Sequence, residues 1–248
     1  MPESYVILWV PLYIMLEALL TAKKAAAPAG LPQDQPLIGF NYDRNASTGT
    51  TAITSSHSAS QLIVPGVAVP GYNKVLSANA QSNTFTNSSA MNVGTGDFTM
   101  EMRVLLKGTS GYVHLWWSTS TNSTGIRMED SGFGDKLAFF INANTHVFYA
   151  GGKTKADMQV WRHLVLMRRN GNVSFYWDGV RIGIAADRGA DFSQQVLPAA
   201  DALSAFTASG IGYAGYGAGY CVAEWAFYNR AKFDGMTSFT PPSGYIAP

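Results

Sequence analysis

Aromatic rings stand out among the side chains that could do chemistry. Tyr112, His114 and Trp116 fall at alternate positions of Tyr112-Val-His-Leu-Trp-Trp117, so an extended chain puts them on one face and Val113, Leu115 and Trp117 on the other. A rigid ring stacks on the apolar face of a sugar, or on a neighbour's side chain, at little entropic cost. One of the two tryptophans is expected in the core, which leaves the other at the surface. The stretch Ile211-Gly-Tyr-Ala-Gly-Tyr-Gly-Ala-Gly-Tyr220 reads as a glycine-rich loop carrying Tyr213 and Tyr216. Contact with a ligand and local packing are equal alternatives for these two tyrosines. Tyr112, His114, Trp116, Trp117, Tyr213 and Tyr216 are therefore the candidate contact residues, for a glycan or a protein.

The carboxylates and histidines are less suggestive. Cleavage of a glycosidic bond needs two carboxylates flanking it, but Glu129 and Asp130 are adjacent and would point to opposite faces of a strand, and Glu224 stands alone in its segment. His57, His114 and His146 lack metal-ligand spacing, no loop is rich in aspartate, and His163 reads as a satisfied core or hairpin residue. The expectation is a protein without catalytic residues, metal or cofactor. With 17 basic against 16 acidic residues the net charge is +1, and the cations are scattered, so the basic footprint of a nucleic-acid-binding protein is absent. Cys221 is the single cysteine, which excludes a disulfide within this sequence and suits assembly in a reducing cytoplasm.

Positioning such residues falls to strands. In Phe98-Thr-Met-Glu-Met-Arg-Val104 the apolar residues alternate with Thr99, Glu101 and Arg103, and Leu137, Phe139 and Ile141 repeat the pattern. Trp161, His163, Val165 and Met167 stand opposite Arg162 and Arg168. Asn170-Gly171 and Asp178-Gly179 are tight-turn signals that predict a three-stranded meander ending in Val180 to Ile184. Tyr220 to Tyr228 predicts a closing strand with Cys221, Ala223, Trp225 and Phe227 on one face.

Ahead of these strands, Tyr5 to Leu20 form an apolar run broken only by Pro11 and Glu17 and followed by Lys23 and Lys24. The start Met-Pro-Glu-Ser lacks the basic region of a signal peptide, and the run is shorter than the roughly 20 apolar residues of a membrane span. Pro11 suits the first turn of a helix and the lysines its C-terminal end, so a helix from Pro11 to Lys24 is predicted. It is apolar on nearly every face, and Trp9, Leu12, Tyr13, Ile14, Leu16, Leu19 and Leu20 are expected at an assembly interface. Residues 25–36 hold three prolines and read as a tether. Residues 1–36 are thus an anchor and residues 37–248 a β domain.

Three ordered blocks carry a family resemblance. GDFTMEMRV (96–104), WRHLVLMRRNGNVSFYWDGVRIG (161–183) and GYCVAEWAFYNRAK (219–232) resemble successive strands and the central hairpin of concanavalin A-like laminin G (LamG) domains. The likeness spans about residues 37–240, and Phe239-Thr-Pro-Pro-Ser243 is similar to the tails of LamG-like proteins encoded by bacteriophages. The resemblance implies an all-β jelly-roll sandwich of two antiparallel sheets, used for contact with carbohydrate or protein and as a surface module of phage virions. Relatives that cut β-glucans carry E-x-D-x-E, which this chain lacks, and the lyase motifs that gather Arg, His and Tyr are not found in these blocks.

These features lead to the expectation of a non-enzymatic bacteriophage virion structural protein, a capsid decoration or head-fibre-like component. It would be assembled in the host cytoplasm, dock on other virion proteins by its N-terminal helix, and form a trimer or other closed oligomer. The alternative is a carbohydrate-binding module or adhesin of a tail fibre that recognises host glycans. Nucleic acid and membrane are not among the expected partners.

Overall fold

Alternation of apolar and polar residues becomes a pair of sheets in the computed structural model. It describes residues 38–41, 46–48, 53–55, 75–78, 83–86, 93–109, 111, 113–118, 125–129, 134, 136–141, 146–187, 191–198, 208–211, 213–214 and 220–243. All of them belong to the second of the two units into which the chain divides, Met1–Asp34 and Gln35–Pro248. The predicted anchor helix, with Trp9, Leu12, Tyr13, Ile14, Leu16, Leu19 and Leu20, lies outside the described residues.

The strands are β1 (Ile38–Asn41), β2 (Ala46–Thr48), β3 (Ile53–Ser55), β4 (Leu76–Ala78), β5 (Asn83–Thr86), β6 (Phe98–Leu106), β7 (Val113–Ser118), β8 (Gly125–Met128), β9 (Lys136–Ile141), β10 (His146–Thr154), β11 (Arg162–Arg169), β12 (Asn172–Trp177), β13 (Val180–Ile182), β14 (Ile184–Ala185), β15 (Leu197–Pro198), β16 (Ala208–Ile211), β17 (Tyr213–Ala214) and β18 (Tyr220–Tyr228). One 3-10 turn, Ala156–Met158, is the only helical turn among the described residues. Sheet A runs β13-β12-β11-β6-β18-β1-β2, with β15 on β12 and β4 on β18. Sheet B runs β14-β10-β9-β8-β7-β16-β5-β3, with β17 on β7. Every pairing is antiparallel.

The inner faces of the two sheets meet in one core. Phe98, Met100, Met102, Val104 and Leu106 of β6 join Leu164, Leu166, Phe175, Trp225 and Phe227 from sheet A and Ile126, Met128, Leu137, Phe139 and Phe148 from sheet B. Phe98 stacks on Phe227 at 5.8 Å, and Phe139 meets Phe148 at 6.1 Å and Phe175 edge-on at 6.3 Å. Each fully buried side chain of this size contributes roughly 1.5–3 kcal/mol, so this layer is the main source of stability.

The meander forms as expected. Asn170 (φ 47°) and Gly171 (φ 75°), then Asp178 (φ 48°) and Gly179 (φ 80°), hold the paired positive dihedrals of tight hairpin turns between β11, β12 and β13. The strand predicted over Val180 to Ile184 is instead divided, because the chain leaves sheet A after Ile182 and joins sheet B at Ile184. Gly183 makes the crossing, and a Cβ there would lie 1.8 Å from the carbonyl oxygen of Phe192.

Two bulges overturn the expected facing. Val222 pairs with Val104 and Glu224 with Arg103, so Ala223 is an extra residue in β18. Tyr220, Val222, Trp225 and Phe227 therefore point into the main core, while Cys221 and Ala223 form a separate buried cluster with Val75 and Leu105. In β7, His114 pairs with Arg127 and Trp116 with Ile126, which leaves Leu115 as the extra residue. A one-residue slip moves every later side chain to the opposite face.

Residues 229–243 then lie across the outer face of sheet A as a strap. Phe233 and Phe239 stack on each other at 3.8 Å, and Phe233 packs with Val165, Met167 and Tyr176. The Tyr176 hydroxyl donates to the carbonyls of Phe233 (3.2 Å) and Met236 (2.9 Å), and the Phe239 amide donates to the Gly179 carbonyl at 2.8 Å.

Candidate functional site

Beneath the strap lies a cluster of charged side chains that the sequence did not announce. Glu101 of β6 is fully buried, and one of its oxygens accepts from Lys232 Nζ at 2.6 Å while the other accepts from His163 Nε2 at 3.1 Å. Burial is the largest influence on this carboxyl and raises its pKa, but the His163 hydrogen bond and the Lys232 charge more than offset it and hold the group below the ordinary glutamate range. Glu224 is not isolated, as the sequence suggested, since Arg103 Nε reaches its carboxylate at 3.0 Å and Arg103 also donates to the Pro242 carbonyl. Burial, followed by the charges of Glu101 and Glu224, pushes the Tyr228 hydroxyl far above the usual phenol range. Thr99 Oγ1 completes the attachment, donating to the Arg230 carbonyl at 2.7 Å and accepting from the Lys232 amide at 2.9 Å. The register of β11, β6 and β18 places His163 opposite Arg103 and Arg103 opposite Glu224. The cluster binds the strap to the sheet, and its carboxylates face partners rather than solvent.

The outer face of sheet B is built differently. His114 of β7 stands opposite Arg127 of β8 and meets the Phe140 ring edge-on at 5.6 Å. The Arg127 guanidinium lies 4.6 Å from the centre of the same ring, and its Nε and Nη2 both donate to one oxygen of Glu129, at 3.0 and 2.8 Å. Arg127 keeps 17% of its side chain exposed, whereas Glu129 keeps 5% and Phe140 is buried. The guanidinium, mostly buried, is thus fixed by a carboxylate and a ring. Burial, then the Arg127 charge, pulls the His114 pKa down to about 4, so its imidazole is neutral at physiological pH. The remaining guanidinium edge of Arg127 can hydrogen-bond hydroxyl groups, with the neutral imidazole of His114 beside it adding no charge.

The two sequence-distant aromatic segments meet here. β17, within the stretch read as a loop, and β16, which ends at its first residue, pair with β7, and Tyr213 is the register partner of His114. His114 is half-buried on the outer face. Trp116 does not share that face: the bulge at Leu115 turns it inward, where it is 1% exposed in the main core. The backbone of Trp117 pairs with Gly125 and Gly210, while Tyr112 and Tyr216 lie outside the described residues. Sequence reasoning missed Arg127 and Phe140, although their neighbours in Gly125-Ile-Arg-Met128 and Leu137-Ala-Phe-Phe140 alternate in the way that would have placed them on one face.

Sheet order, the hairpin and the closing strand define a concanavalin A-like jelly-roll sandwich. The chain belongs to the concanavalin A-like lectin/glucanases superfamily, through its Laminin_G_3 family, which residues 77–231 match. No curated protein matches the chain in sequence. Among solved structures it is similar to a botulinum neurotoxin type C structure described for its interaction with two ganglioside molecules, with a TM-score of 0.58 and 10% identity over 80% of this chain and 49% of that one. It is also similar to the binding domain of botulinum neurotoxin DC in complex with rat synaptotagmin II (TM-score 0.54, 10% identity, 80% and 49% covered) and to that of serotype C1 (0.57, 8%, 80% and 50%). The chain spans about half the length of these structures, and the likeness is one of fold.

Proposed function

We propose that the β domain is a non-enzymatic carbohydrate-recognition domain and that the outer face of sheet B, centred on His114 and Arg127 beside the strand of Tyr213, contacts the glycan. The observation that carries this reading is the Arg127 guanidinium, 17% exposed and held by Glu129 and Phe140, because a polar group fixed in advance loses little freedom when it binds. A catalytic role finds no support in Glu101 and Glu224: a glycosidase acid needs a raised pKa, whereas Glu101 is held low and each carboxylate is engaged by a cation. The superfamily and the toxin binding domains of similar fold add weight to recognition. A glycan array probed with the full chain tests it. Reproducible binding that is weakened by Arg127→Lys supports the reading, and silence across the array defeats it.

Display on a virion, with docking through the helix predicted from the sequence of residues 11–24 and closure into an oligomer, is a second reading. It draws on the sequence of residues 1–36 and on the resemblance read in the sequence of residues 239–243, and it is compatible with glycan recognition by the same chain.

A further inference from the structure

We propose that the face around Arg127 selects uncharged, hydroxyl-rich saccharides over acidic ones, an inference that rests on the glycan-contact reading of this same face. Arg127 is a cation whose attraction for an anion is already spent. Two of its nitrogens converge on one oxygen of Glu129, so a saccharide carboxylate arriving at the exposed edge would come close to a second, nearly buried carboxylate. Like charges so placed repel, and the low solvent access at Glu129 leaves that repulsion poorly screened. His114 brings no compensating charge, because it is neutral at physiological pH. The other cation that β8 and β9 supply among the described residues, Lys136, lies 4.9 Å from the Phe192 ring. What Arg127 still offers is Nη1, which takes no part in the bonds to Glu129 and is left to donate to a sugar hydroxyl as a neutral donor would.

The test compares a neutral oligosaccharide with the same oligosaccharide carrying one sialic or uronic acid, each titrated into the full chain. The neutral sugar is expected to bind roughly tenfold more tightly than its acidic counterpart, with an affinity that changes less than about twofold as salt is raised across the Debye range. Glu129→Gln, which releases the Arg127 charge, is expected to improve the acidic sugar relative to the neutral one by about tenfold. If that variant does not fold, the salt series on the unaltered chain still decides the matter. An equal or tighter grip on the acidic sugar, or binding that collapses with salt, overturns this selectivity while leaving glycan recognition in place. Absence of binding to either sugar, or affinity unchanged in Arg127→Lys, overturns the contact face itself and the selectivity with it.

Discussion

Glu101 Oε2 accepts a hydrogen bond from His163 Nε2 at 3.1 Å, with both side chains buried on the face of sheet A that turns away from the main core. The other oxygen of Glu101 holds Lys232 of the strap. One carboxylate thus joins β6, β11 and the C-terminal segment. A buried ion is costly unless its lone pairs are taken, and here both oxygens are.

Removal of that carboxylate should be felt throughout the sandwich. Glu101→Ala leaves Lys232 and His163 without their acceptor, and a loss of about 3–5 kcal/mol is expected in denaturant unfolding. A change below about 1 kcal/mol would show that the strap is held by its phenylalanines alone.

Acid should loosen the same junction. Because the folded Glu101 is held below the ordinary glutamate range, protons bind the unfolded chain first. Its contribution is complete above the unfolded value of about 4.3 and declines as pH falls from there through the folded value. Unfolding midpoints measured from pH 6 downward should drop in that window, and the drop should be smaller in Glu101→Gln.

The strap is expected to be part of the fold rather than an appendage. Phe233 is 7% exposed and stacks on Phe239 at 3.8 Å, so Phe233→Ala should cost about 3 kcal/mol. Equilibrium unfolding that matches the unaltered chain would contradict this.

Gly183 should tolerate no side chain. An added Cβ would stand 1.8 Å from a backbone oxygen of Phe192, and backbone cannot step aside as a flexible side chain can. Gly183→Ala is expected to lower stability by about 2–3 kcal/mol, in the range of other overpacking changes, measured as a shift in denaturant midpoint.

His114 offers a spectroscopic check on the contact face. Its imidazole should titrate near the value of about 4 to which burial and Arg127 depress it, visible in the NMR shifts of its ring protons. The unfolded imidazole takes its proton near pH 6.5, so protons favour the unfolded chain between the two values and stability falls as pH drops through that window. A midpoint near 6.5 in the folded protein would mean that the ring is free of both influences.

Much of the fold was legible because strand periodicity and turn chemistry are local. Phe98 to Val104, the Asn170-Gly171 and Asp178-Gly179 turns, and Tyr220 to Tyr228 were all readable, since alternation and paired positive dihedrals depend on adjacent residues. Facing within β7 and β18 was not, because the extra residues Leu115 and Ala223 are set by the partner strand and leave no mark in their own sequence. That is why Trp116 was placed with His114 and Trp225 with Cys221. The split at Gly183 depends on Phe192, nine positions on, and the charge cluster on residues from Glu101 to Pro242, so neither could be seen in a local window. His114 was singled out from its aromatic neighbours, whereas Arg127 and Phe140 join it as candidates only when β7, β8 and β9 lie side by side.

On the proposed function, the outer face of sheet B holds a glycan through the guanidinium of Arg127, fixed by Glu129 and Phe140. The most direct measurement is the affinity of the full chain and of Arg127→Lys for the best glycan found on an array. Lysine keeps the charge that Glu129 requires but lacks the planar edge. A loss of about tenfold or more, with unfolding midpoints unchanged, is the predicted result. Equal affinity in the two proteins, or no glycan bound by the unaltered chain, would contradict the account.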